Sequence, residues 1–281
     1  FLKDAVSNIG YYGYIRDMLE SFDERYEEIV SGLRRINEFI LRKGNFFVSV
    51  TCSEDQLEKL DESIAAIDDM LEYREVDLDI TPFEIKKKNE GFKCASQVQY
   101  VCTAGDFKSD GFEYSGTMRV AKNILSYEYL WTQIRVLGGA YGCGGAANQN
   151  GEAFFMTYRD PNLKRSIDVF NGVPEFLGSF DADDREMDKY VIGTIGDMDI
   201  PLNAKDKGER SLNAYITGTS YEQIQRYRDK VLNAKPEDIR KLADPFRAAL
   251  DKDNICVIGS ESAIDENKEL DRKSTRLNSS H

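Results

Sequence analysis

Two stretches of this chain, 209 residues apart, follow one plan. The first reads helix, Arg42-Lys43-Gly44-Asn45-Phe46-Phe47-Val48-Ser49-Val50, then Ser53 and an acidic helix. The second reads helix, Asp251-Lys252-Asp253-Asn254-Ile255-Cys256-Val257-Ile258-Gly259, then Ser260 and an acidic segment. An offset of one domain length argues for duplicated α+β modules; the alternative is chance likeness between two ordinary strand–helix endings. On the first reading, the chain holds the tail of one module and nearly all of the next.

The last residues, 271–281, "DRKSTRLNSSH", turn abruptly basic and Ser-rich. They read as the translation of a short sequencing adaptor, a non-native tail excluded from fold reasoning. The chain starts Phe1-Leu2-Lys3 without Met, so the natural N-terminus is expected to lie upstream. The tail holds three cations and one anion, so without it the net charge goes from −13 to −15. It also holds the single histidine, His281. A His-rich zinc site, a Ser-His-Asp triad and a Cys-His pair are therefore excluded from the natural part.

Five cysteines without C-x-x-C spacing read as reduced, buried thiols in a cytoplasmic setting. The acidic balance argues against nucleic acid and suits neutral or basic partners. No apolar run reaches the roughly 18 residues that a membrane span requires, so no membrane partner is expected.

Apolar spacing predicts a helix over residues 15–40, a buried strand over 45–51, and a helix from the capping box Ser53-Glu54-Asp55-Gln56 to about Tyr73. Arg74 to Gly91 reads as a linker. "SQVQYVCT" reads as a strand, residues 112–131 as a helix, and Asn148-Gln149-Asn150-Gly151 as a hairpin turn between "YGCGGAA" and "EAFFMTY". Asp160-Pro161 is expected to open a helix. Further helices are expected over 184–197, 205–217, 221–233 and 236–250, with a strand over 254–260. Trp131, Tyr127 and Tyr129 read as packing residues. Asp181, Asp183, Asp184 and Glu186 read as the acidic start of a helix.

"IRVLGGAYGCGG", residues 134–145, carries five glycines in twelve positions. A phosphate loop runs from a strand into a helix; here glycines follow a helix and enter a strand, and no Lys follows. Two readings stay open. The stretch is a tight turn into a structural strand, or a strand against which a bound peptide lies, with Arg135 and Tyr141 at its mouth.

"SYEYLWTQIRVLGGAYGCGG", "YRDPNLKRSIDVF" and "GTIGDMDIPLNAKDKGERSLNAYITGTSYEQIQRYRDKVL" resemble the C-terminal half of pitrilysin/insulinase-type zinc metallopeptidases, in their presequence protease branch. The resemblance covers about residues 4–270. It implies an α+β fold of duplicated modules, each a mostly antiparallel sheet packed against helices, within a four-domain clamshell. Residues 1–80 would end the third module and residues 81–270 form most of the fourth. Zinc would be bound by an H-x-x-E-H helix of the missing N-terminal half, and none by this chain, which should be inactive alone.

Arg135 and Tyr141 match the pair that such enzymes bring to the substrate beside the metal, and Gly138, Gly139 and Ala140 would line the peptide. The implied partners are an unstructured peptide, with basic peptides suited by the charge, and the N-terminal half of the same chain. The alternative is a non-catalytic structural or peptide-holding homologue of the same fold.

Overall fold

The computed structural model describes residues 9–45, 47–73 and 89–268. The chain divides into two compact units, Phe1–Lys86 with Leu202–Thr217, and Lys87–Pro201 with Gly218–His281. Most of the expected linker and the 271–281 tail lie outside the described residues.

The first unit is helical. Helices Ile9–Glu20 and Phe22–Ile40 replace the single helix expected over 15–40, with the break at Ser21, whose hydroxyl donates back to the Asp17 carbonyl at 2.7 Å. Glu54–Met70 starts where the capping box predicts, and the Gln56 side-chain Oε1 accepts the Ser53 N–H at 3.3 Å. Ala204–Thr217 belongs to the same unit: Tyr215 meets Phe47 with ring centroids 6.2 Å apart.

The buried strand expected over 45–51 is not there. Residues 47–53 have no regular structure, and Phe47, Val48 and Val50 are exposed. A strand exists only where a neighbour takes its N–H and C=O groups, and among the described residues nothing pairs with this one. Helix Phe22–Ile40 likewise buries no residue, leaving Leu33 and Ile36 exposed on its apolar stripe.

The second unit is built on a five-stranded sheet, β1 (Glu90–Cys94), β2 (Tyr100–Asp106), β3 (Gly142–Ala147), β4 (Glu152–Tyr158) and β5 (Asn254–Ser260). Their order is β1-β5-β2-β4-β3. β1 and β5 run parallel; the other three pairings are antiparallel. β1 begins inside the stretch read as linker. The β3–β4 hairpin closes at the predicted Asn-Gly turn, where Gly151 takes φ +101°.

Alternation makes the sheet two-faced. Val101, Thr103, Ala153, Phe155, Ile255 and Val257 point to the core, and Phe155 meets Phe170 and Phe246 at 5.7 and 5.8 Å. Helices Lys164–Asn171, Val173–Gly178, Asp184–Met198, Tyr221–Leu232, Pro236–Arg240 and Ala243–Leu250 belong to this unit. The helix expected over 236–250 is thus broken at Lys241 and Leu242. Asp183 caps its helix as the acidic run predicts, accepting the Glu186 N–H at 2.9 Å. None of the five cysteines is fully buried: Cys52 and Cys94 are exposed, and Cys102, Cys143 and Cys256 are intermediate. The expected burial fails because Cys102 and Cys256 alternate onto the face of the sheet turned away from the core.

Candidate functional site

The helix expected over 112–131 begins only at Thr117 and changes character at Leu125. Thr117–Ile124 is an α-helix, and Leu125–Val136 continues it as a π-helix whose last bond runs from the Leu137 N–H to the Thr132 carbonyl at 3.0 Å. Wide turns of this kind are rare and gather at functional sites. This one puts Arg135 above Trp131, with the guanidinium carbon 4.2 Å from the indole centroid. The same guanidinium lies 5.7 Å from the Tyr141 ring. Trp131 is 44% exposed and Tyr127 lies in the open, so neither is the core residue expected; Tyr129 does pack, stacked on Phe176 at 4.7 Å.

Between Arg135 and Tyr141 the chain reverses through Gly138, Gly139 and Ala140. Gly139 has φ +80°, a conformation that disfavours any side chain. Its N–H donates to the Arg135 carbonyl at 3.0 Å, and the Ala140 N–H to the Ile134 carbonyl at 3.1 Å. The Ala140 methyl is buried, whereas Gly139 is exposed and Gly138 half-buried.

Asp160, with 0% exposure, braces this turn from behind. Its carboxylate accepts the Asn162 N–H at 2.9 Å and the Ser166 hydroxyl at 2.5 Å, while the Asn162 amide donates to the Gly138 carbonyl at 2.6 Å. Arg165 donates to the Gln133 carbonyl at 2.8 Å. The helix expected from Asp160 starts instead at Lys164, because the Asp160 backbone is still held in the sheet by two bonds with Gln99, at 2.7 and 2.8 Å.

A bulge sits next to it. Cys102 faces Met156, yet Gln99 pairs with Asp160, so β4 carries one residue more than β2 over this interval. The extra residue is taken up at Arg159, with φ +51°. The Arg159 carbonyl accepts the Tyr141 N–H at 3.3 Å. Tyr141 is 64% exposed, and its ring meets Tyr158 edge-on at 5.9 Å; Tyr158 meets Tyr100 at 5.4 Å.

Beyond Tyr141, β3 is an edge strand. Phe107 donates to the Gly151 carbonyl, which sets the parity of β4 and leaves the N–H and C=O groups of Cys143, Gly145 and Ala147 turned to the outer edge of β3. A Cβ on Gly144 would meet nothing within 4 Å. The structure thus brings Arg135, Tyr141 and the glycine turn together at one rim of the sheet. Arg135 and Tyr141 present hydrogen-bond donors to solvent beside an open strand edge, an arrangement able to bind a carbonyl oxygen and an extended backbone.

Sequence reasoning missed the Asp160–Asn162–Ser166 brace and the stacking of Trp131 on Arg135. Asp, Asn and Ser at positions 160, 162 and 166 are the side chains that build such turns, and that spacing was the available signal.

Residues 89–261 match the family model described as the PreP C-terminal domain. The chain is 33% identical to Protein HypA of Clostridium perfringens over 267 residues, which cover 95% of this chain and 27% of HypA. It is 30% identical to Presequence protease 1, chloroplastic/mitochondrial, of Arabidopsis thaliana, over 94% of this chain and 25% of that protein. The chain thus spans about a quarter of the length of these relatives. Among solved structures, a peptidase M16 inactive domain from Pseudomonas fluorescens aligns with TM-score 0.52 at 14% identity, over 74% of this chain and 51% of that one. At that identity the likeness is one of fold.

Proposed function

The chain belongs to the PreP C-terminal domain family, and on that premise we propose that it is the non-catalytic C-terminal part of a zinc-dependent oligopeptidase that degrades unstructured peptides in a closed chamber. Residues 1–80 then end the third module of the longer protein and residues 81–270 form most of the fourth. The partners are the N-terminal half of the same polypeptide and a peptide substrate, with basic peptides suited by the net charge of −15 that remains from −13 without the 271–281 tail. Five cysteines present as thiols suit a reducing, cytoplasmic compartment.

Among the described residues no group of three or more His, Cys, Asp or Glu side chains is arranged to hold a metal. The described residues do not fit zinc, and no step through a metal is assigned to them. Its own contribution is donors. Arg135 and Tyr141 hydrogen-bond the oxygen on which charge develops when a peptide carbonyl is attacked, and a donor aimed at that charge lowers the barrier by about 3 kcal/mol. Gly139, exposed at the turn, lets the peptide backbone come close. Gly138 lacks a side chain because the Arg165 guanidinium and the Ile134 carbonyl fill that space, so it and the buried Ala140 act by shaping the turn beneath the peptide.

The observation that carries this reading is the Arg135 guanidinium held between the Trp131 and Tyr141 rings at the mouth of a strand edge that is unpaired among the described residues. The test compares the 281-residue chain with the complete polypeptide on a fluorogenic peptide. The chain alone should show no turnover, and the complete polypeptide should show turnover that a chelator blocks. Chelator-sensitive cleavage by the chain alone would refute the assignment. A complete polypeptide that binds peptides without cleaving them would point to the structural or peptide-holding homologue.

A further inference from the structure

Cys102 on β2 and Cys256 on β5 are register partners. They lie in adjacent antiparallel strands, directly opposite, at the centre of the five-stranded order. Their neighbours Val101, Thr103, Ile255 and Val257 fill the core, so both thiols sit on the opposite face of the sheet, where each is half-buried. Tyr100 with Ile258 on one side and Ala104 with Asn254 on the other hold the same register, so the pairing is fixed over five residues.

The backbone says which kind of pair this is. Val101 donates its N–H towards β4, to the Thr157 hydroxyl, and Ile255 donates its N–H away from β2, to the Asn89 side chain. The N–H groups of Cys102 and Cys256 therefore face each other, which makes them a hydrogen-bonded, wide pair with Cα atoms about 5.5 Å apart. That separation lies within the range a disulfide spans, while the Cβ atoms must be drawn together to reach it. A bond closed under such strain opens easily to a reductant.

We propose that Cys102 and Cys256 form a reversible modification site, a dithiol that closes to a cross-strand disulfide when the protein meets a peroxide-class oxidant. One thiolate attacks a peroxide oxygen, giving a sulfenic acid and releasing the other oxygen as water. The second thiol displaces that hydroxyl, again as water, and the sulfur–sulfur bond forms. Two thiols lose two electrons and two protons in all, and one hydrogen peroxide becomes two waters. Burial pushes the Cys102 thiol above its ordinary range, with Glu152 adding to the effect. Closure is therefore slow at neutral pH and quickens as pH rises, which suits a response to sustained oxidant. The other cysteines lack this geometry. Cys143 faces Thr157, and Cys94 faces Ser260.

The test treats the 281-residue chain with hydrogen peroxide at high dilution, alkylates the remaining thiols, and maps the unreduced digest by mass spectrometry. A peptide linking Cys102 to Cys256, two hydrogens lighter than its parts, should account for most of the oxidised protein. Dithiothreitol should restore both thiols. C102S and C256S should each abolish the link, and C94S should leave it in place. The same mapping on chain unfolded in urea supplies the statistical yield of every pair. The proposal fails if the native chain gives no more of this link than the unfolded chain. It also fails if Cys102 and Cys256 oxidise separately to sulfinic acids, or if the links formed join Cys52 or Cys94 of two molecules.

Discussion

The Arg135 guanidinium rests on the Trp131 indole at 4.2 Å, one turn apart on the same π-helix. The contact fixes where a five-donor cation points. An exposed cation–π contact is worth about 0.5–1 kcal/mol, so W131L in the complete polypeptide should lower kcat roughly two- to fivefold, with KM little changed. W131F keeps a ring under the cation and should recover most of the loss. Equal losses in both variants would mean that the indole serves packing alone.

Glycines of β3 separate approach from folding. Gly144 looks into open space, whereas a Cβ on Gly145 would collide with the Phe155 ring. G144V should leave Tm nearly unchanged and raise KM for peptides. G145V should lower Tm by overpacking the core, at a cost of about 1–3 kcal/mol. Gly139, with φ +80°, strains under any substitution and makes a poor probe of peptide approach. An unchanged KM in G144V would remove β3 from the peptide path.

Legibility followed the range of the forces involved. The β3–β4 hairpin was readable because an Asn-Gly turn between two alternating runs is a local device. The helix starts at Glu54, Asp184 and Tyr221 were readable from capping residues for the same reason. The segment at 45–51 carried the apolar run of a strand, yet a ladder is non-local and none forms with it among the described residues. At the site, Arg135 and Tyr141 could be picked out by type. Their relation to Trp131 could not, because an α-helical periodicity gives no sign that the chain switches to a π-helix at Leu125. Asp160-Pro161 has the signature of a helix start, and the sheet pairing with Gln99 overrides it.

Acid should loosen the attachment of the last helix, Glu261–Glu266, to the sheet. Lys93 on β1 hydrogen-bonds Asp265 at 2.7 Å and Glu261 at 3.3 Å. The bond to Lys93, helped by Lys268, holds the Asp265 carboxyl below its ordinary value. A carboxyl whose pKa is lower when folded stabilises the fold at pH values above its unfolded pKa, and that contribution disappears as pH falls through the folded one. The hydrogen-exchange protection of β1 and residues 261–266, taken relative to the intrinsic exchange rate at each pH, should therefore fall below about pH 4. K93A should show lower protection already at neutral pH and little further change on acidification. A pH response in K93A equal to that of the parent would place its origin elsewhere.

The most direct test of the central claim measures kinetics and Tm together on R135A and Y141F of the complete polypeptide. If Arg135 and Tyr141 bind developing charge at the peptide carbonyl, each substitution should lower kcat/KM by about 10²-fold or more. Tm should move little, because both side chains are exposed. A fall in Tm with kcat/KM per folded molecule unchanged would contradict the account and leave the glycine-rich rim a purely structural turn.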